Sequence, residues 1–225
     1  MIKNLYDLFG LIDSYSLYLT NAGIGLSQEG LPKFSPSHFL DAFPEDVVTY
    51  KERNSELVRN PKRTVICFYC PDKQIYPRLE RVLQDIPEYQ RFQGVIATDV
   101  TVTCDMDLEW QKATMLINQL FIGVLAVNGV KVVANLRCGL PETLGCFEHI
   151  PRGVTCASGL LGCRPTRNKF DLSYSEKLMR VMPSRVLLYG RNDPIVMDQI
   201  NTLGIPCRRY PDVHSRHRAT AKRQR

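Results

Sequence analysis

The sequence predicts an α/β fold of about six mostly parallel strands alternating with helices, either TIM-barrel-like or a doubly wound open sheet, with an irregular N-terminal wrap. Three observations carry that prediction. From Thr64 onward, short β-branched apolar runs recur between turn residues. Helix-like segments separate them, and such alternation implies parallel pairing through right-handed crossovers. Residues 1–60 lack the alternation and read as part of the same domain, not a second one.

Taken in order, "NLYDLFGLIDSYSLYL" (4–19) suits a helix, and turn signals at "NAGIG", "EGLPKFSPS" and "AFPED" then mark an extended wrap. The strands are expected at "TVICFY" (64–69), "GVIATDVTV" (94–102), "VKVVANL" (130–136), "GVTCAS" (153–158), "RVLLYG" (185–190) and "IPCRRY" (205–210). Helices are expected over about 74–86, 106–128, 142–149, 173–182 and 194–203. Asp105 stands where an N-cap belongs, with Asp107 and Glu109 in the positive first turn and Asn128-Gly129 as the left-handed stop. Asp193-Pro194 reads as cap plus first-turn proline, and Gly204 ends that helix. The stretch "MLINQLFIGVLAV" is apolar nearly all round, so something besides the sheet must cover it, and the N-terminal region is the candidate. The resulting layout is a wrap (1–60), an α/β domain (61–212) and a basic tail (213–225).

At 225 residues with 44% apolar and 23% charged residues, the chain has the composition of a soluble protein with a substantial core. The apolar helix is interrupted by Asn118 and Gln119 and is too short to span a bilayer. Asp7 and Asp13 fall where a signal peptide would be apolar, so a cytoplasmic protein without membrane contact is expected. Arg216, Arg218, Lys222, Arg223 and Arg225 carry all but about one unit of the net charge of +6. Such a tail suits phosphate neutralisation on nucleic acid, or simple solubilisation of a chain end. The eight cysteines should be free thiols. "CFYC" puts Cys67 and Cys70 on opposite faces of a strand, and Cys138, Cys146, Cys156 and Cys163 match no zinc or iron–sulfur spacing.

Ligands of parallel α/β folds collect at the carboxyl ends of the strands, which makes the polar residues there the candidates. They are Asp72, Asp99, Asp105, Arg137, Ser158, Tyr189 and Arg191. Asp105 and Asp193 are also explained as helix caps. Asp99 lies inside an apolar run, where a carboxylate needs a partner, and Arg137 is the natural one. Their pair is either a structural ion pair or a substrate clamp. No P-loop, dinucleotide fingerprint or nucleophile elbow is present, and only His38 and His149 lie outside the tail. Any catalysis would run on carboxylates, with or without a divalent metal ion.

Four segments, "DVTVTCDMD" (99–107), "NGVKVVANLRCG" (128–139), "CFEHIPRGVTCASGLLGC" (146–163) and "PSRVLLYGR" (183–191), follow one another in an order and spacing that resembles an uncharacterised family of phage, plasmid and genomic-island proteins, domain of unknown function 4417. The likeness runs from about Thr64 to Tyr210. It implies one α/β domain, a mobile-element origin, and Asp99, Asp105, Ser158, Tyr189 and Gly190 as matching positions, but no activity. The functional expectation is a carboxylate-based hydrolase or transferase for a nucleic-acid- or nucleotide-like ligand. In it Asp99 and Asp105 with Arg137 would act on the reacting atoms, while Asp72, Ser158, Tyr189 and Arg191 hold the ligand. The alternative is a non-enzymatic protein that binds nucleic acid or a host protein through this rim and the tail.

Overall fold

In the computed structural model, which describes residues 2–160 and 173–216, seven strands lie side by side in chain order and every neighbouring pair is parallel. They are β1 (Asp46–Thr49), β2 (Thr64–Cys67), β3 (Gly94–Ile96), β4 (Val132–Asn135), β5 (Thr155–Gly159), β6 (Arg185–Tyr189) and β7 (Cys207–Tyr210). The order never reverses, which rules out the doubly wound alternative. The sheet curls into a nearly closed, TIM-barrel-like α/β fold. Sequence reasoning missed β1: "DVVT" offers only two adjacent valines after a proline turn, too little for a strand signal.

Period-two alternation divides the strand side chains between two cores. Val47, Val65, Ile96, Val133, Ala157 and Leu187 pack together inside the barrel. Their neighbours Ile66, Val95, Val132, Cys156, Val186 and Leu188 face outward under the helices. The helices are α1 (Leu5–Asn21), α2 (Asp72–Glu80), α3 (Val82–Tyr89), α4 (Leu108–Val127), α5 (Ser173–Val181) and α6 (Pro194–Thr202), with a 3-10 segment at Pro141–Phe147. The single helix expected at 74–86 is two, because Arg81 (φ −117°, ψ 18°) breaks it and Pro77 and Pro87 each remove a backbone donor. Helix α4 starts at Leu108, and its cap is Asp107, not Asp105: the Asp107 carboxylate accepts from the backbone N–H of Glu109 (2.9 Å) and Trp110 (3.4 Å).

The N-terminal region covers α4, as its all-round apolarity requires. Leu8, Ile12, Tyr15 and Leu19 of α1 are buried in the same core as α4. The helices approach so closely that a Cβ on Gly123 would lie 2.9 Å from Leu19 Cδ1. After α1 the chain runs to the amino-terminal end of the barrel and stops it. The Leu40 N–H donates to the Val132 carbonyl (2.9 Å), and the Thr155 hydroxyl donates to the Leu40 carbonyl. Phe43 lies under Arg208 and Arg185, whose guanidinium carbons are 4.8 and 5.8 Å from its ring centre.

No backbone pairing joins β7 to β1, so side chains span that seam. Arg208 Nη1 (3.1 Å) and the Tyr210 hydroxyl (2.9 Å) both donate to the Pro44 carbonyl. Beyond β7, Arg216 returns to clasp Asp46 with both Nη atoms, one at 2.6 Å, and donates to the Val47 carbonyl at 3.0 Å. Among the described residues no helix is long and apolar enough to cross a membrane, and the cysteines are free thiols.

Arg216→Ala leaves a partly buried carboxylate and an edge carbonyl without their donor, and should lower stability by about 2 kcal/mol. Urea unfolding is the check. An unchanged midpoint would mean that the seam holds without this clasp.

Candidate functional site

The strands deliver their last residues to one mouth. On β4, Asn135 follows Val133 by two positions and therefore shares its inward face. Beside it the chain leaves β3 after Ile96, and Asp99 sits in the extended segment that follows rather than within a strand. The β-branched run continues to Val102, but Asp72 captures it instead of a neighbouring strand, accepting from the Thr101 N–H (3.0 Å) and hydroxyl (2.9 Å). Asp72 thus pins the loop that carries Asp99.

Asp99 is the hub. Asn135 Nδ2 donates to Asp99 Oδ1 at 2.8 Å. The orientation of that amide is set from below, where the Tyr69 hydroxyl lies 3.2 Å from Asn135 Oδ1. Burial and the nearby Asp99 charge hold the Tyr69 phenol well above its ordinary pKa, so it remains a donor. Arg137 Nε stands 4.0 Å from Asp99 Oδ1, and its Nη2 donates to the Val102 carbonyl at 3.1 Å. The Asp99 and Arg137 side chains are 19% and 27% exposed. Burial raises the Asp99 pKa above the ordinary aspartate value, opposed by Arg137 and the Asn135 hydrogen bond and assisted by Asp72. Desolvation therefore wins over the ion pair here.

Tyr69 also closes the top of the barrel core. Its ring stacks on Tyr189 (5.5 Å between centres, 24° between planes) and lies against Gly159, where a Cβ would meet Tyr69 Cδ1 at 2.3 Å. Only glycine at 159 admits that ring.

Two cavities open above this floor, and Asp99 and Arg137 line both. The smaller, of about 180 Å³, lies over β4, β5 and β6 and is also lined by Asn135, Ser158, Tyr174, Lys177, Arg191 and Asp193. Ser158 Oγ and the Tyr174 hydroxyl are hydrogen-bonded at 2.9 Å. The larger, of about 700 Å³, lies over β1 to β3 and reaches Thr49, Lys51, Glu52, Gln74, Thr103 and His214.

Of the residues singled out from sequence, Asp99, Arg137, Ser158 and Arg191 meet at the smaller cavity. Asp72 acts one step away through Thr101. Tyr189 is interior: its ring supports Tyr69, and its hydroxyl accepts from the Val213 N–H at 3.2 Å. Asp105 is exposed and lines neither cavity, its pKa lowered by the Thr103 hydroxyl and its own N–H. Arg216 belongs to the β7–β1 seam, while Arg218, Lys222, Arg223 and Arg225 lie outside the described residues. Sequence reasoning passed over Tyr69, Asn135, Tyr174 and Lys177. Asn135 carried a signal, a polar residue ending an apolar strand, whereas Lys177 is one surface-type lysine on a helix until packing brings it to the mouth. Among the described residues no three His, Cys, Asp or Glu side chains converge as a metal-binding group.

A family model described as Domain of unknown function (DUF4417) matches residues 26–206. The matched span begins well before Thr64 and takes in β1. No curated protein and no solved structure matches the chain.

Two outcomes follow from this geometry. Gly159→Ala should displace Tyr69 and cost roughly 1–3 kcal/mol of overpacking, read from the urea midpoint. A native Asp99 that keeps its proton above the ordinary value near 3.8 means that the native state binds more protons than the unfolded chain in that window. The Asp99 contribution to stability should therefore fall as pH rises from about 4 towards neutrality. Comparing unfolding free energies of wild type and Asp99→Asn across that range isolates the effect, and a contribution that rises with pH would show that Arg137 outweighs burial.

Proposed function

We propose, for a chain that belongs to the DUF4417 family, that the barrel mouth is the active site of a carboxylate-based hydrolase or transferase acting on a nucleotide-like ligand. The observation that carries this reading is the placement of Asp99. It stands on the wall common to two cavities, fixed by Asn135 and Arg137, with its pKa raised by burial. A general base works best when its pKa lies near the working pH, and desolvation moves a carboxylate in that direction. Asp99 takes a proton from a water or hydroxyl nucleophile in the mouth. Arg137 faces the anionic part of the ligand and partners Asp99 while the site is empty. Ser158 and Tyr174 orient the ligand from the far wall, the place given to Tyr189 on sequence grounds. Tyr69 holds Asn135, and Asp72 holds the loop, so both act as positioning residues.

The proposal extends to the setting. The resemblance of the segments at 99–107, 128–139, 146–163 and 183–191 supports an accessory protein of a phage or other mobile element, working in the cytoplasm, with the arginine-rich end as its contact to nucleic acid.

The test is a thermal-shift screen of wild type and Asp99→Asn against nucleotides, short oligonucleotides and divalent ions, followed by turnover of whatever stabilises the wild type. A native-state ligand raises the melting temperature by mass action. Asp99→Asn should then lower kcat by about 10²- to 10⁴-fold while the protein stays folded. Wild-type activity should fall on the acid side as Asp99 takes up its proton. A variant with wild-type turnover would sink the reading.

A further inference from the structure

Among the described residues the smaller cavity is lined by three cations against two carboxylates, and one of those cations, the half-buried Arg191, has two guanidinium nitrogens without a hydrogen-bond partner. Arg137, Lys177 and Arg191 line it against Asp99 and Asp193. Arg137 is committed to the Asp99 wall and to the Val102 carbonyl. Asp193 is committed to the start of α6, accepting from the Ile195 N–H at 3.2 Å and the Val196 N–H at 3.4 Å. At Arg191 two nitrogens, Nε and Nη2, are shut off from solvent, and neither has a hydrogen-bond partner. A guanidinium desolvated in this way is costly unless something accepts from it.

Other donors converge on the same space. The Ser158 and Tyr174 hydroxyls bring two hydrogens and use one between them, so one remains for a ligand. Burial pushes the Tyr174 phenol far above its ordinary range, which keeps that donor in place. Lys177 approaches from α5, Ser158 from β5 and Arg191 from the segment between β6 and α6. Donors arriving from three elements surround a tetrahedral oxyanion better than a planar carboxylate, for which one bidentate arginine would suffice. At about 180 Å³ the cavity takes a head group, and the neighbouring one of about 700 Å³ takes the body attached to it.

We propose that the cavity over β4 to β6 is a phosphate subsite, in which Arg191 and Lys177 hold the phosphate of a phosphate monoester whose remainder lies in the larger cavity across Asp99. This deepens the active-site reading and rests on the mouth being a ligand site, but it does not depend on Asp99 acting as a base.

The experiment titrates inorganic phosphate into the full chain at constant ionic strength, with chloride and acetate as controls, following heat and the Arg191 Nε–H resonance. Phosphate should bind and shift that resonance. Arg191→Gln should weaken binding at least tenfold and Lys177→Met several-fold, because each removes a charge-assisted donor. Asp99→Asn should bind phosphate at least as well as wild type, since it removes a neighbouring negative charge. Turnover tests Asp99 while phosphate binding tests Arg191 and Lys177, so either idea can fail while the other stands. Ribose 5-phosphate and a nucleoside 5′-monophosphate, compared with free phosphate, report the body: tighter binding of either supports the two-cavity arrangement. The proposal is overturned if phosphate acts no differently from chloride, if only an oligonucleotide binds, or if Lys177→Met and Arg191→Gln both bind as wild type. Should Arg191→Gln not fold, Lys177→Met and the wild-type resonance decide the matter.

Discussion

A parallel sheet of seven strands that curls on itself leaves two edges facing each other across a gap, and the rest of this molecule depends on how that gap is closed. Exposed strand edges invite pairing with other chains, and a parallel sheet is stable only with both faces covered. Here the seam is bridged by side chains. Pro44 takes two donors from β7, and Arg216 clasps Asp46 and the edge carbonyl of Val47. Pro44 and the first residues of β1 thus face the residues at the end of the domain, so the N-terminal segment is a structural part of the barrel.

Closure gives the interior two ends, each with its own stopper. Leu40 and Phe43 fill the amino-terminal end. Tyr69, admitted by Gly159 and stacked on Tyr189, fills the other. Because Tyr69 ends in a hydroxyl that stays protonated, the upper stopper is also the base of a polar chain through Asn135 to Asp99. Packing and polarity are joined at one residue. The floor is apolar below and hydrogen-bonding above, and the raised pKa of Asp99 follows from standing just above that floor, where burial outweighs a 4.0 Å arginine contact.

The charge of the chain is arranged along the same lines. Read as a total, it suggests a basic arm. In the fold, Arg216 is spent on the seam, Arg208 and Arg185 lie over Phe43 beneath the barrel, and Arg191 lines the mouth. Arginine suits these places because a delocalised guanidinium tolerates partial burial and can donate in several directions.

The alternation of short apolar runs with capped helices determined the α/β class, the parallel sheet, the Asp193 and Gly129 helix signals, and the need for a cover over α4. These are properties of local periodicity and of backbone groups within a few residues, and they are written in the order of the chain. The choice of barrel over open sheet was not written there, because strand order depends on which edges meet. Nor was β1, whose four residues pair only because β2 is already present. Asp99 and Arg137 were legible as partners because a charge in an apolar run needs compensation. That Tyr189 turns inward, that Asp105 stands clear of the mouth, and that Tyr69, Tyr174 and Lys177 join it depends on which face each residue shows once the sheet has curled. That was decided only by tertiary packing, since it depends on strand twist and register across the whole sheet.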